Sequence, residues 1–360
     1  MKVFHCDHCR HLLFFENTQC VKCGHALAYI PELGRVAALE PHGDLWRVAA
    51  AQPPIGSAEP NERRFRLCDN YAKENVCNWA LPADSALQLC ESCSLTRVIP
   101  NLEAVGSREA WFKLEAAKRR LIYTLKALGC PIRSKAEDPQ QGLAYEFLAP
   151  DGNSGPVLTG HADGVITVNV TEADDANREK QRARLHEPYR TLLGHFRHES
   201  GHYYWQLFVD GQPRIEAFRS LFGDERADYA AALQRHYDSG PPLDWPENFV
   251  SAYAASHPWE DWAESWAHYL HMTDVLETAA ATGLQLKPAG RDEPALAKAR
   301  SGPDQPFEAM LQSWYPLTYV LNNLNRSMGL ADGYPFVLPP PAVENLRFVH
   351  ETIAEQAGRP

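Results

Sequence analysis

The sequence predicts an α+β fold, with small cysteine-rich units at the N-terminus followed by a mainly helical domain that carries a small β-sheet. Three observations support this. Eight of the nine cysteines fall within the first 93 of 360 residues. Residues Gly142 to Pro150 and Val157 to Val170 alternate apolar and polar side chains beside Asp151-Gly152 and Asp163-Gly164, the period of half-buried strands with hairpin turns. From Asp174 to about Met272 the apolar residues recur at helical spacing. With 44% hydrophobic and 22% charged residues the chain is globular in type and long enough for two or three domains.

The first unit is residues 1–30. Cys6-Asp7-His8-Cys9 and Cys20-Val21-Lys22-Cys23 are two C-x2-C knuckles separated by ten residues. Each knuckle turns two thiolates toward one point, and two facing knuckles complete a tetrahedral zinc site of the zinc-ribbon type. Gly24 supplies the tight backbone such a turn favours. His5, His8 and His25 could each replace a cysteine, but solvated histidines are the simpler reading. The second unit, 31–100, holds Cys68, Cys77, Cys90 and Cys93, with one standard knuckle in Cys90-Glu91-Ser92-Cys93. Spacing alone leaves open how the eight thiolates divide between two sites. Both sites are structural, because four thiolates leave no open coordination position. Residues 31–65, rich in Pro, Gly and Ala, are predicted to be extended or loop-like. Cys130 reads as a small buried hydrophobe.

The third unit, 101–360, opens with a helix predicted over Ala110 to Leu128 and stopped by Gly129. The strands follow, then helices broken at Asp210-Gly211 and Gly240-Pro241-Pro242, a helix over Phe307 to Met328, a Pro-rich run and a short terminal helix.

Charge and hydropathy narrow the function. The net charge of −11 opposes the neutralisation of phosphates that nucleic acids demand. Within residues 1–100 there are 10 Lys or Arg against 11 Asp or Glu, so the cysteine-rich part is not basic either. No apolar run approaches the roughly 18 residues of a membrane span, and the N-terminus carries no leader-like stretch. The expected location is the cytoplasm. Oligomeric state is not legible.

The chemistry centres on His198-Glu199-Ser200-Gly201-His202. Positions i and i+4 lie on one helix face about a turn apart, so both imidazoles can hold one metal while the intervening Glu points at its open position. Pro188 to Val209 is predicted as one helix. Its apolar stripe is Leu192, Leu193, Phe196, Tyr203 and Leu207, and its histidines occupy another face. A third ligand comes from the segment after Pro258, where Trp259, Trp262, Trp266 and Tyr269 form a core stripe. Glu260, Glu264 and His268 form a second stripe at intervals of four.

His198-Glu199-x-x-His202, followed 58 residues later by Glu260-x-x-Ala263-Glu264, resembles the gluzincin arrangement of thermolysin and, more closely, of anthrax lethal factor. Combined with the N-terminal ribbon, it is similar to a bacterial family of zinc-binding metallopeptidases. The resemblance implies a zincin-like domain in which Glu260 is the third ligand and Glu264 orients a ligand histidine. It also implies that Tyr253, seven residues before Glu260, stabilises the oxyanion, or failing it His257. Thermolysin has Asp where Glu264 stands, and the adjacent Asp261 leaves the third ligand open by one residue. The implied activity is hydrolysis of a peptide or protein substrate by a zinc-activated water with Glu199 as general base, on about three zincs per chain. The strand-like Gly164 to Val170 is a candidate edge for an extended peptide. A second reading is a non-catalytic partner-binding module with a structural zinc at His198.

Overall fold

Strand β1 (Phe4–His5) pairs antiparallel with β2 (Leu12–Leu13), and the turn between them presents Cys6 and Cys9. Arg10 accepts a left-handed backbone there (φ 61°). These coordinates are a computed structural model describing residues 1–49, 63–150, 157–184 and 187–357. A second sheet runs antiparallel through β3 (Ala26–Ile30), β4 (Arg35–His42), β5 (Leu45–Val48), β6 (Phe65–Leu67) and β7 (Ala80–Pro82), in that order. It crosses residue 30: Cys20 and Cys23 precede its first strand, and Cys68 follows β6.

Two short helices, α1 (Asp69–Ala72) and α2 (Glu91–Ser94), follow Cys68 and Cys90 respectively. Of the stretch 31–65, expected to be extended or loop-like, the described residues are mostly extended, in β4 and β5, with a 3-10 turn at Pro31–Leu33. Its alanines suit a sheet buried on both faces, as Ala37 and Ala38 are. Residues 50–62 of that stretch lie outside the described ones.

Helix α3 (Ser107–Ala127) is stopped as expected at Gly129, whose φ is 72°. It lies over a four-stranded sheet of β8 (Thr96–Val98), β9 (Ala144–Leu148), β10 (Gly160–Ala162) and β11 (Val165–Asn169), in the order β10-β11-β9-β8. Asp163-Gly164 makes the β10–β11 turn, while Asp151-Gly152 lies outside the described residues. The peptide-aligning edge expected at 164–170 is corrected here. β11 pairs with β9 on one side and β10 on the other, so it is interior and the edge strands of this sheet are β10 and β8.

The helices that follow are α4 (Asp175–Arg184), α5 (Leu192–Phe208), α6 (Ile215–Phe222), α7 (Tyr229–Ser239), α8 (Trp245–Asn248), α9 (Pro258–Ala281), α10 (Phe307–Ser327) and α11 (Pro340–Ala357). Helix α5 begins four residues later than Pro188 predicts. Thr191 remains extended and its Oγ1 accepts from Gly194 N at 3.0 Å, capping the first turn. Among the described residues no helix is long and apolar enough to cross a membrane.

The contact that positions the site is α5 against α9. A Cβ on Gly201 would stand 2.9 Å from Ala263 Cα, so glycine here permits the close approach. Two indoles fasten it: Trp262 Nε1 donates to Gly201 O (2.8 Å) and Trp266 Nε1 to Ser200 Oγ (3.0 Å).

Candidate metal centre

Each knuckle places its sulfurs by backbone turns, with Arg10 N donating to Cys6 O and Gly24 N to Cys20 O. The structure brings Cys6, Cys9, Cys20 and Cys23 together, and separately Cys68, Cys77, Cys90 and Cys93. The sequential division therefore holds over an interleaved one. Around a zinc with Zn–S near ~2.3 Å, tetrahedral sulfurs stand roughly 3.8 Å apart. Here Cys6–Cys23 and Cys9–Cys20 are at 3.6 Å and Cys77–Cys90 at 3.8 Å. All nine cysteines are free thiols. In the second quartet, backbone N–H groups of Trp79, Cys90 and Cys93 point at the sulfurs of Cys77, Cys68 and Cys90, a pattern suited to thiolate charge. Cys130 is buried alone, as expected.

The third cluster joins His198 and His202 of α5 with Glu260 of α9, donor atoms within 4.8 Å of one another. Glu260 Oε2 stands 3.0 Å from His198 Nε2 and 3.5 Å from His202 Nε2. Three N/O ligands at about 2.0–2.1 Å from a tetrahedral zinc are roughly 3.3 Å apart, so the three atoms have the spacing of one coordination face. Glu260 is fully buried, and its Oε2 has no hydrogen-bond partner among the described residues. Burial alone would raise its pKa, but the two imidazoles hold the carboxyl well below the usual range. Burial would likewise lower His198, and the carboxylates of Glu260 and Glu264 override it and raise the imidazole well above its ordinary value. A site with this field favours a cation, and its donor set fits zinc.

Around these three atoms the remaining predicted residues take distinct places. Glu199 is buried beside the pair of histidines on α5. Glu264 Oε1 lies 2.8 Å from His198 Nδ1, and its other oxygen accepts from Ser251 Oγ at 2.7 Å. With Nε2 turned toward the metal position, Nδ1 carries the proton and donates to Glu264, which fixes tautomer and ring plane. Tyr253 stands with its ring 5.8 Å from that of His198. Burial, reinforced by the charge of Glu260, keeps its phenol protonated well above the ordinary range.

Asp261 points elsewhere: its Oδ2 accepts from Asn345 of α11 at 2.9 Å. His257 is engaged at both ring nitrogens, by Trp259 N and Ala227 O, and has no N–H left for an oxyanion. His268 bonds Tyr334 rather than the metal cluster.

Three neighbours escaped the sequence reading. Ser251 is one. His161 on β10 is another, its ring near-parallel to that of His202 at 6.4 Å, with burial holding its pKa down at about 3. The third is Tyr229, whose hydroxyl donates to Glu260 Oε1 at 2.6 Å. None carries a motif spacing, and each arrives from a different segment.

A family model described as "Putative zinc-binding metallo-peptidase" matches residues 107–352, which include α5 and α9 whole. The chain belongs to this zinc-binding metallopeptidase family. A second model, described as a zinc-ribbon domain, matches residues 3–104 and thus both cysteine quartets of this metallopeptidase relative. Uncharacterized proteins of Mycobacterium tuberculosis and Mycobacterium bovis are each 44% identical to it over 358 residues, 99% of this chain and 96% of theirs. No solved structure matches it.

Proposed function

We propose that this family member is a hydrolase of peptide bonds with a gluzincin-type site. In this reading His198, His202 and Glu260 hold the catalytic zinc, Glu199 is the general base and Glu264 orients His198. The observation that carries it is the unpartnered Glu260 Oε2 aimed between two imidazole nitrogens. When bound, zinc supplies Lewis acidity to the scissile carbonyl and to the attacking water. The protein's own groups do the rest. Glu199 takes the proton of the water and passes it to the leaving amine. Tyr253 keeps its proton and donates a hydrogen bond to the developing oxyanion. The edge of β10, unpaired among the described residues and carrying His161 beside His202, supports alignment of an extended peptide or protein substrate.

Residues 1–30 and 31–100 would then carry two structural zincs and residues 101–360 the hydrolytic unit. Thiols kept reduced for zinc agree with a cytoplasmic location.

Glu199→Gln tests the activity. The variant should retain zinc, because Glu199 is not a ligand, and lose about 10²–10⁴-fold in turnover on any peptide cleaved from a broad library. Equal cleavage by the wild type and the variant would remove the hydrolase reading and favour a binding module.

A further inference from the structure

We propose that Tyr229 is a positioning residue for the third ligand, its hydroxyl holding one oxygen of Glu260 so that the other alone faces the two imidazoles. The proposal rests on the zinc reading of the His198 site and adds a residue to it. Glu260 divides its oxygens: Oε1 accepts from Tyr229 at 2.6 Å, while Oε2 lies 3.0 and 3.5 Å from the histidine nitrogens. A carboxylate with both oxygens free can rock into bidentate contact with a metal, which raises the coordination number and fills the position meant for water. A phenol fixed on the far oxygen prevents that rotation.

Tyr229 is itself fixed from two sides. It is the first residue of α7, whose first turn is capped by Asp228 accepting from Ala231 N at 3.0 Å. His257, the cap of α9, accepts from Trp259 N at 3.1 Å. Its other nitrogen donates to Ala227 O at 3.1 Å. One imidazole therefore ties the segment entering α7 to the turn that presents Glu260. The Tyr229 ring packs edge-on against that of His257 at 5.1 Å and against Trp259 at 6.0 Å. Further along α7, Ala232 is its buried side chain among the described residues and the His236 ring stands 5.8 Å from that of Tyr253. The first turn is the part of α7 that bonds Glu260.

Tyr229 is 37% exposed and its ring contacts are to His257 and Trp259, so Tyr229→Phe deletes the hydroxyl and keeps the ring that makes them. We expect the chelator-labile zinc of the full-length protein to bind on the order of 10–100-fold more weakly in Tyr229→Phe, the usual effect of removing a group that supports a ligand. Cobalt(II) restored to the stripped site should show weaker visible absorption, as its coordination number rises. In a Glu260→Ala background the same substitution should change neither readout. Unchanged affinity and spectrum in Tyr229→Phe would overturn the proposal, and so would an equal loss in the Glu260→Ala background, because the hydroxyl would then act by another route. His198→Ala separates this from the parent reading. If the wild-type zinc is indifferent to His198→Ala, the metal site itself fails. If it responds while Tyr229→Phe changes nothing, the role of Tyr229 alone fails.

Discussion

Glu260, Glu264 and Tyr253 take different parts around the metal position, and their replacement should grade accordingly. Glu260→Ala should weaken zinc binding at the His198 site most and lower its occupancy, since it leaves two imidazoles. Glu264→Ala should weaken zinc or activity by about 10–100-fold, because His198 loses the acceptor of its Nδ1 proton. Tyr253→Phe should leave zinc bound and lower turnover alone. Chelator competition and kinetics on the three variants check the order, and a Tyr253→Phe protein that sheds its zinc would contradict it.

Asp261 belongs to a different account. Two per cent exposed, bonded to Asn345 and held well above its ordinary pKa by burial and the charge of Glu264, it bears on stability rather than on metal. The histidine pair and the carboxylate stripe of α9 were legible because a helix repeats its faces at fixed intervals, while the 58-residue spacing carried meaning only through the gluzincin resemblance. Tyr229 and Ser251 were not, because nothing local marks a hydroxyl that meets its carboxylate only after the chain returns.

At the scale of elements, the site depends on how closely α5 approaches α9. Gly201 is one of the two unspecified positions of the histidine motif, and its role is contact rather than chemistry. Replacing it by Ala gains about 1 kcal/mol of helix propensity. It also forces a methyl to within 2.9 Å of Ala263 Cα and 3.2 Å of Trp266 Cβ. Both belong to a packed neighbour that cannot turn aside, and such overpacking costs about 1–3 kcal/mol or more. Gly201→Ala should therefore be destabilised by up to roughly 2 kcal/mol net and bind the His198 zinc less tightly, as its helix is displaced from Glu260. A urea midpoint equal to that of the wild type would show that the contact yields.

Helix α5 itself was legible in kind and in its C-terminal end. Its start was not, because the cap at Thr191 overrode the preference of Pro188 for a first turn. In the alanine-rich 31–49 stretch the residues left extended and loop conformations open, because strand propensity is decided largely by what a strand packs against.

Over the whole molecule, ribbon and helical domain share one core. Its buried side chains run from Phe4 to Ile353 and include cysteines of both quartets. Tyr123 of α3 sits among Phe15 and Tyr29 of the ribbon. The buried Arg119 donates to Val76 O at 2.7 Å, and the equally buried Lys118 pairs with Glu115 at 2.9 Å and reaches Thr96. Asp274 gathers Thr124 of α3, Arg197 of α5 and, through its carbonyl, the N-terminal amine. Elemental analysis should find about three zincs per chain. Chelation should take the His198 zinc first, since three protein ligands hold it. Stripping the cysteine zincs should then lower the unfolding midpoint of the entire chain in a single transition. Two separate transitions, with the helical domain unaffected, would contradict the shared core.

By itself the sequence determined what repeats locally: the cysteine knuckles, the histidine pair a helical turn apart with its glutamate, the carboxylate stripe after Pro258, and the α+β character. Those follow from backbone geometry over a few residues, which side-chain type and spacing report directly. The tertiary structure alone decided which thiols group, that Glu260 rather than Asp261 meets the histidines, that β11 is an interior strand and that the Tyr229 hydroxyl bonds Glu260. Each of these depends on segments tens of residues apart being brought within hydrogen-bonding distance, and that placement is set by the packing of a common core rather than by any local pattern.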